Sequence, residues 1–149
     1  GGRYLEPQQF MWPNGRRLQI PDRSLGIDIA TRVKALFDGF DWNELHDVDK
    51  AWRAQIVGHF AFKTVRNQEG LLHIRPGRIA GGVFDNRPDT ELIIETFTDR
   101  EVQFTKAIFF RVLKVATSIK FVYDGDRTSL LFRGENVRGV AAARYRVAT

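Results

Sequence analysis

The sequence contains no cysteine and only three serines, Ser24, Ser118 and Ser129. Without cysteine the chain can form no disulfide framework, thiol nucleophile or zinc–thiolate cluster. None of the serines stands in the Gly-x-Ser-x-Gly context that presents a nucleophilic serine on a sharp turn. We therefore expect a protein that is not an enzyme and that needs no cofactor.

Long apolar runs and phosphate-binding glycine loops are also missing. No apolar run approaches the length of roughly 18 residues that a membrane-spanning helix requires, and the first residues lack the basic-then-apolar order of a signal peptide. Gly81-Gly82 is an isolated glycine pair, which predicts a bulge or bend in a strand. These features indicate a soluble or peripheral protein with no transmembrane segment.

The three histidines do not stand at a spacing that is diagnostic of a metal site. His59 and His73 could approach each other across a hairpin, with Glu69 as a third ligand. The triplet Asp124-Gly125-Asp126 lacks the later glutamate of a calcium-binding loop. We predict no metal site, and we expect His46, His59 and His73 in ordinary surface or half-buried positions.

Length and composition are typical of one globular domain, with 149 residues of which 43% are hydrophobic and 28% charged. The 12 phenylalanines favour β-structure. Residues 1–52 are nearly neutral, with 7 basic and 8 acidic side chains, whereas residues 53–149 carry 16 basic and 10 acidic ones. This positive excess could meet phosphate, an anionic membrane surface or an acidic partner, or form a solvated face.

The first 23 residues are predicted to form an irregular N-terminal arm. They contain Pro7, Pro13 and Pro21, with Asn14-Gly15 between them, and show no sustained hydrophobic period. Their apolar side chains are too many for a free tail, so we expect the arm to lie on the domain or on a neighbour. Residues 24–149 are then predicted to form a single helix-plus-β-barrel domain.

Two short helices are predicted ahead of the sheet. Apolar residues within 29–37 follow a helical period, and Gly39 is placed to end that helix. Asp41, with Glu44 three residues later, matches the pattern that caps a second helix. The apolar faces of the two helices are Ile29, Val33, Leu36 and Phe37, and Leu45, Val48 and Trp52.

From about Gln55 the apolar period changes to two, which is typical of strands that place one face on a core. Asp124-Gly125 lies between two alternating runs and predicts the clearest hairpin, because this pair tolerates the positive φ angles of a tight turn. The predicted strands are Ile56–Val65, Leu71–Arg75, Arg78–Phe84, Glu91–Phe97, Phe109–Val115, Thr117–Tyr123, Arg127–Arg133 and Val140–Val147.

Residues 99–113 fit two interpretations. Val102, Lys106, Phe109 and Leu113 could line one side of a helix, but Ile108-Phe109-Phe110 also suits a strand. We favour extended structure from Phe109 onward.

About seven or eight short strands with hairpin-length connections favour an antiparallel arrangement, because parallel crossovers need a dozen residues or more. A flat sheet of that size would leave long unpaired edges. The predicted fold is mainly β (α+β), with N-terminal helices followed by an antiparallel up-and-down, lipocalin-like barrel or strongly curved sheet.

Such a barrel offers a candidate ligand site in its interior. An eight-strand barrel is wide enough either to fill itself with side chains or to hold one small molecule, so a packed core without ligand is the alternative. The residues predicted to line this interior are Phe60, Phe62, Leu72, Ile74, Ile94, Phe121 and Leu131.

A second candidate is a basic surface near the carboxyl end, where guanidinium groups could meet the phosphates of RNA or single-stranded DNA. Tyr145 lies among these arginines, but on a strand it would point away from its two neighbours. The predicted basic surface consists of Arg127, Arg133, Arg138, Arg144 and Arg146.

Two short segments carry a family resemblance. Ala51-Trp52-Arg53-Ala54 follows the predicted helices, and Tyr123 to Arg127 forms an acidic turn that is followed by Arg133-Gly134 and Arg138-Gly139. In this order the chain resembles the plastid lipid-associated proteins called fibrillins, which place a Trp-Arg at the start of the first strand and an Arg-Gly turn before the last. The resemblance implies a lipocalin-like barrel in a plastid, associated with thylakoid lipids or photosynthetic complexes.

The expected function is therefore a non-enzymatic lipocalin-like domain that binds a lipophilic molecule, a lipid or pigment, or docks on a membrane-associated, photosynthetic complex. One alternative is a basic β-domain that binds RNA or single-stranded DNA. Another is an accessory structural subunit whose arm at residues 3–21 wraps a partner. The chloroplast location, peripheral to the thylakoid, follows from the resemblance alone.

Overall fold

The computed structural model describes residues 9–11, 17–19, 35, 37–61, 70–82, 88–135 and 137–143. Ala35, Phe37 and Asp38 are helical. The helices that are described in full are α1 (Lys50–Phe60) and α2 (Lys106–Val115). The strands are β1 (Gln9–Met11), β2 (Arg17–Gln19), β3 (His46–Asp47), β4 (Leu71–Arg75), β5 (Arg78–Gly81), β6 (Thr90–Ile93), β7 (Val102–Thr105), β8 (Ser118–Asp124), β9 (Arg127–Arg133) and β10 (Val137–Ala142).

The strands form two sheets. Six strands make one sheet in the order β2-β1-β10-β9-β8-β3, and four make the other in the order β6-β5-β4-β7. Neighbouring strands are antiparallel except β1 and β10. A mainly β fold is thus confirmed, while among the described residues both sheets are open and no strand pairing closes a barrel.

The parallel pair corrects the expectation of purely antiparallel order. Gln9 lies opposite Val137, and Met11 lies opposite Gly139. A parallel pair needs only a long connection, and nearly the whole chain separates β1 from β10. The chain between β1 and β10 is most of the domain, so the short connections between the other strands do not exclude a parallel pair here.

The predicted arm contains two strands rather than only irregular chain. β1 pairs with β2 as well as with β10, so both extend the six-stranded sheet. Of the two arrangements expected for the arm, packing on the domain and packing on a neighbour, this part of it shows the first. Residues 1–8, 12–16 and 20–23 of the arm lie outside the described residues.

Helix α1 replaces the first part of the strand that was predicted at Ile56–Val65. Asp49 caps it by accepting a hydrogen bond at Oδ1 from the Trp52 N–H, at 2.7 Å. Trp52, Ile56 and Phe60 then lie four residues apart on its buried face. Ile56 and Phe60 fit the two-residue period of a strand and the four-residue spacing of a helix equally well. The alternating pattern therefore predicted a strand where a helix forms. Residues 62–65 lie outside the described part of the chain.

The second helix was predicted eight residues too early. Asp41 Oδ1 accepts hydrogen bonds from the Asn43 backbone and side chain, which makes a turn, and Glu44 has a φ of +60°. A left-handed residue cannot continue a right-handed helix. The preceding helix ends as predicted at Gly39, whose N–H donates to the Ala35 carbonyl at 3.0 Å; Ile29, Val33 and Leu36 lie outside the described residues.

Helix α2 shows that the preference for extended structure from Phe109 to Val115 was wrong. Thr105 Oγ1 accepts a hydrogen bond from the Ile108 N–H at 3.4 Å and caps the helix. Phe109, Val112 and Leu113 form its buried face. The β-propensity of the Ile-Phe-Phe run is overridden because this helical spacing buries more apolar surface against the core.

The hairpin predicted at Asp124-Gly125 is confirmed, whereas the one predicted between Ile56–Val65 and Leu71–Arg75 is wrong at residues 56–60, which are helical. β8 and β9 meet at Gly125, which has a φ of +60°, and Asp124 pairs with Arg127 across the turn. β4 and β5 are joined at Pro76-Gly77, where Gly77 has a φ of +73°. Both glycines supply the positive φ that the turns require.

The core lies between the two sheets and is closed by both helices. Phe60 of α1, Phe104 of β7, Phe109 of α2 and Phe132 of β9 belong to one buried cluster. Burying each of these rings contributes about 1.5–3 kcal/mol. Gly139 is needed opposite Phe132, because a Cβ there would lie 2.3 Å from the ring. Neither of the helices described in full is long and apolar enough to cross a lipid bilayer.

Candidate functional site

The residues predicted to line a ligand cavity separate into three groups. Phe60, Leu72, Ile74 and Phe121 lie in the shared core, and Ile94 packs half-buried at its edge. Leu131 is buried but lies on the opposite face of β9 from its core-facing neighbours Leu130 and Phe132. Phe62 lies outside the described residues.

Within the core, side chains contact one another. The Phe104 ring centroid lies 5.9 Å from that of Phe109 and 6.3 Å from that of Phe121. These separations are those of directly packed aromatic rings. That a lipophilic molecule binds among these residues stays a prediction.

Two of the predicted basic residues hold the segment at residues 37–43 onto the six-stranded sheet. Arg133 Nη2 donates to the Trp42 carbonyl at 3.1 Å, and Arg138 Nη2 lies 2.9 Å from Asp38 Oδ1. Both guanidinium groups lie near the Trp42 ring, at 6.0 and 5.1 Å from its centroid. Arg133 and Arg138 therefore act inside the fold as an attachment for this segment.

Lys120 contributes to the same attachment. Its Nζ donates to the Asn43 carbonyl at 3.0 Å and lies 3.5 Å from Asp41 Oδ2. Hydrogen bonds from the Asn43 backbone and side chain, with the charge of Lys120, hold the pKa of Asp41 below its usual range. This cation too is engaged within the molecule.

The structure does not show the remaining members of the predicted basic surface close to one another. Arg127 is exposed beside the β8–β9 turn. Arg144, Tyr145 and Arg146 lie outside the described residues. Nucleic-acid binding stays a prediction.

An aromatic cluster that the sequence analysis missed lies where β3 and α1 meet the loop after β6. His46 stacks on Phe97, with centroids 4.8 Å apart, and Trp52 lies 5.9 Å from Phe97 on a tilted plane. Phe97 has a φ of +61°, which is rare for a bulky residue. Glu95 Oε1 helps to hold this conformation by accepting hydrogen bonds from the N–H groups of Thr96 and Phe97.

This cluster continues to the end of β8. The Tyr123 hydroxyl and Thr98 Oγ1 share a hydrogen bond at 2.5 Å, and the Arg100 guanidinium lies 3.8 Å from the Tyr123 ring centroid. Arg100 also bonds Asp99. These bonds explain the loop's conformation without a ligand.

A polar cluster occupies the outer face of β4 and β7. Glu101 Oε1 accepts a hydrogen bond from Arg75 at 2.7 Å and lies 3.8 Å from His73 Nδ1. Gln103 Nε2 donates to Glu101 Oε2 at 3.4 Å. Burial alone would raise the pKa of Glu101, but the hydrogen bonds of Arg75 and Gln103, with the charges of Arg75 and His73, together outweigh burial and leave that pKa lowered.

The histidines that could have bound metal are separated. His59 shares a hydrogen bond with Thr90 at 2.8 Å, whereas His73 belongs to the polar cluster. Among the residues that the structure describes, no three metal-ligating side chains come together. Glu69 lies outside them.

Lys106, at the start of α2, is the most unusual charged residue of the described chain. Its side chain is only 2% exposed and shares the buried face of α2 with Phe109 and Leu113. Its Nζ lies 5.7 Å from the centroid of the Phe110 ring. No hydrogen bond or ion pair joins this ammonium to any described residue.

The surroundings of Lys106 change its chemistry. Burial lowers its pKa, because an apolar environment disfavours the charged amine. A desolvated lysine can bind an anionic or polar group, and when neutral it is a nucleophile. The sequence carried a signal for this site, since Lys106 falls at the helical spacing of Phe109 and Leu113.

The segments of the family resemblance lie on different elements from those expected. Trp52 and Arg53 lie in the first turn of α1 and not at the start of a strand. Arg133 is the last residue of β9 and Gly134 follows it, while Arg138-Gly139 lies within β10. No protein-family model, curated protein or solved structure matches the chain. Its function is therefore inferred from the chemistry of the sites themselves.

Proposed function

We propose that this protein is a non-enzymatic domain that binds a small lipophilic molecule with one polar end, and that the polar end meets Lys106. The observation that carries this proposal is the placement of a lysine, 2% exposed, on the apolar face of α2 without a partner among the described residues.

The energetic argument starts from the cost of that placement. Transferring a charged or polar group from water into apolar surroundings is unfavourable unless a partner compensates for the lost hydration. Residues with a pKa perturbed by burial are concentrated at functional sites. A ligand whose polar end bonds the ammonium would supply the missing partner.

Apolar surface for the rest of the ligand lies beside the amine. Phe110 is half-buried one helical turn after Lys106, and its neighbour Phe109 is buried in the core. A ring at this distance from an ammonium also favours the cation modestly. The combination favours an amphiphile over a purely apolar or purely ionic molecule.

This site differs from the one that a lipocalin-like barrel would use. There the ligand would lie within the sheet interior, whereas Phe104, Phe109 and Phe121 of this chain pack directly on one another. A lipocalin-like closure of the sheets, a plastid location and docking on a membrane-associated complex remain predictions from the resemblance.

Direct binding tests the proposal. The full chain is titrated with 1-anilinonaphthalene-8-sulfonate, and the bound probe is then displaced with decanol or decanoate. We expect saturable, one-to-one displacement, and about tenfold weaker binding by Lys106→Met.

Lys114→Met is the matched control, because Lys114 is an exposed lysine in the last turn of the same helix. It should bind as the unaltered chain does. Absence of saturable displacement, or equal binding by Lys106→Met, would overturn the proposal.

A further inference from the structure

We propose that Lys106 is a nucleophilic amine that condenses with the carbonyl carbon of an apolar aldehyde, so that the ligand is held as an imine. This inference rests on the proposed function and names its ligand class. It assigns covalent capture, and not turnover, to the lysine.

Three features of the position favour capture of a carbonyl group. The side chain lies among apolar residues, but its Nζ retains contact with solvent, where a carbonyl group could reach it. No described carboxylate forms an ion pair with this amine. A carboxylate close to the amine would hold the proton and suppress its reactivity. The lowered pKa of Lys106 acts in the same direction, because it increases the neutral fraction of the amine.

The reaction needs no other reagent. The Nζ lone pair attacks the carbonyl carbon and forms a C–N bond, which gives a carbinolamine. The two protons of the neutral amine leave with the carbonyl oxygen as water, and a C=N double bond remains. The step is reversible, so the aldehyde is carried and released without oxidation or reduction.

Other described lysines provide internal comparisons. Lys50 and Lys114 are exposed, and Lys120 is bonded to the Asn43 carbonyl and to Asp41. None of them combines enclosure with the absence of a described partner. Selective reaction at Lys106 would therefore reflect its surroundings and not the amine alone.

The experiment traps the imine on the unaltered full chain. The protein is incubated with decanal and sodium cyanoborohydride, and peptide mass spectrometry locates each decyl group as a function of pH. We expect modification of Lys106 roughly tenfold faster than that of Lys114 or Lys120, with a rate that reaches its plateau at lower pH.

Decanol, which cannot form an imine, separates this inference from the proposed function. If decanal and decanol both displace 1-anilinonaphthalene-8-sulfonate but decyl groups spread evenly over exposed lysines, capture by Lys106 is wrong and amphiphile binding stands. If neither displaces the probe and Lys106 is not modified preferentially, both proposals fall. Because these readouts use the unaltered chain, they do not depend on the folding of a Lys106 variant.

Discussion

Trp52 donates its indole N–H to the backbone carbonyl of Glu95 at 2.7 Å, and this bond ties α1 to the loop that follows β6. The same loop holds Phe97 in its left-handed conformation between His46 and Trp52. Helix α1 is thus fixed against the four-stranded sheet by a specific hydrogen bond as well as by apolar packing.

Trp52→Phe should lower the free energy of unfolding by about 2 kcal/mol, because it leaves the Glu95 carbonyl without its donor and removes part of a buried ring. Urea denaturation measures the change. Val57→Ala, at an exposed position of the same helix, should change it by less than about 0.5 kcal/mol. Equal effects of the two substitutions would show that the bond is not important.

The same substitution should have opposite effects at two glycines. Gly58→Ala should stabilise the protein by about 0.5–1 kcal/mol, because Gly58 lies within α1 with nothing near its added Cβ. Gly125→Ala should destabilise it by about 1 kcal/mol, because Gly125 has a φ of +60° in the β8–β9 turn. Thermal denaturation of both variants checks the signs, and a stabilising Gly125→Ala would contradict the turn geometry.

Glu101→Gln should destabilise the protein by about 1 kcal/mol at pH 7 through loss of the charged bond to Arg75. Since the folded-state pKa of Glu101 is lowered, its contribution is complete above the unfolded pKa of about 4.3 and is lost as the pH falls through the folded value. Denaturation curves of both chains should therefore converge as the pH falls from about 4.3 through the lowered folded pKa of Glu101.

Glu91→Gln is the control for Glu101→Gln. Glu91 lies 3.7 Å from Arg78 on the same sheet and is more exposed than Glu101. Loss of its charge should therefore change the free energy of unfolding by about 0.3 kcal/mol. A difference between Glu101→Gln and the unaltered chain that persists unchanged at low pH would contradict an ionic contribution.

Lys106→Met should raise the free energy of unfolding by about 1 kcal/mol at pH 7 while it weakens ligand binding. The lowered pKa means that ionisation of Lys106 opposes folding; the penalty is complete below the folded pKa and disappears above the unfolded value of about 10.4. The gain should therefore vanish near pH 11. Destabilisation at pH 7 by this variant would indicate that the lysine supports the fold.

Local chemistry in the sequence determined the β8–β9 hairpin. Asp124-Gly125 selects its turn through the φ angles of the residues themselves, and Arg127–Arg133 has the predicted bounds because both its ends adjoin turns. The caps of α1 and α2, Asp49 and Thr105, were not identified from the sequence. Their neighbours Ile56, Phe60 and Phe109 fit strands and helices alike.

The tertiary structure decided the rest. A residue spaced for both periods takes the one that buries its side chain against distant partners, so α1 and α2 depended on a core that local sequence does not specify. The pairing of β1 with β10 joins the two ends of the chain, and no local signal encodes such a contact. The sequence alone determined the helical spacing of Lys106 with Phe109 and Leu113, but only the packing of α2 buried the Lys106 side chain.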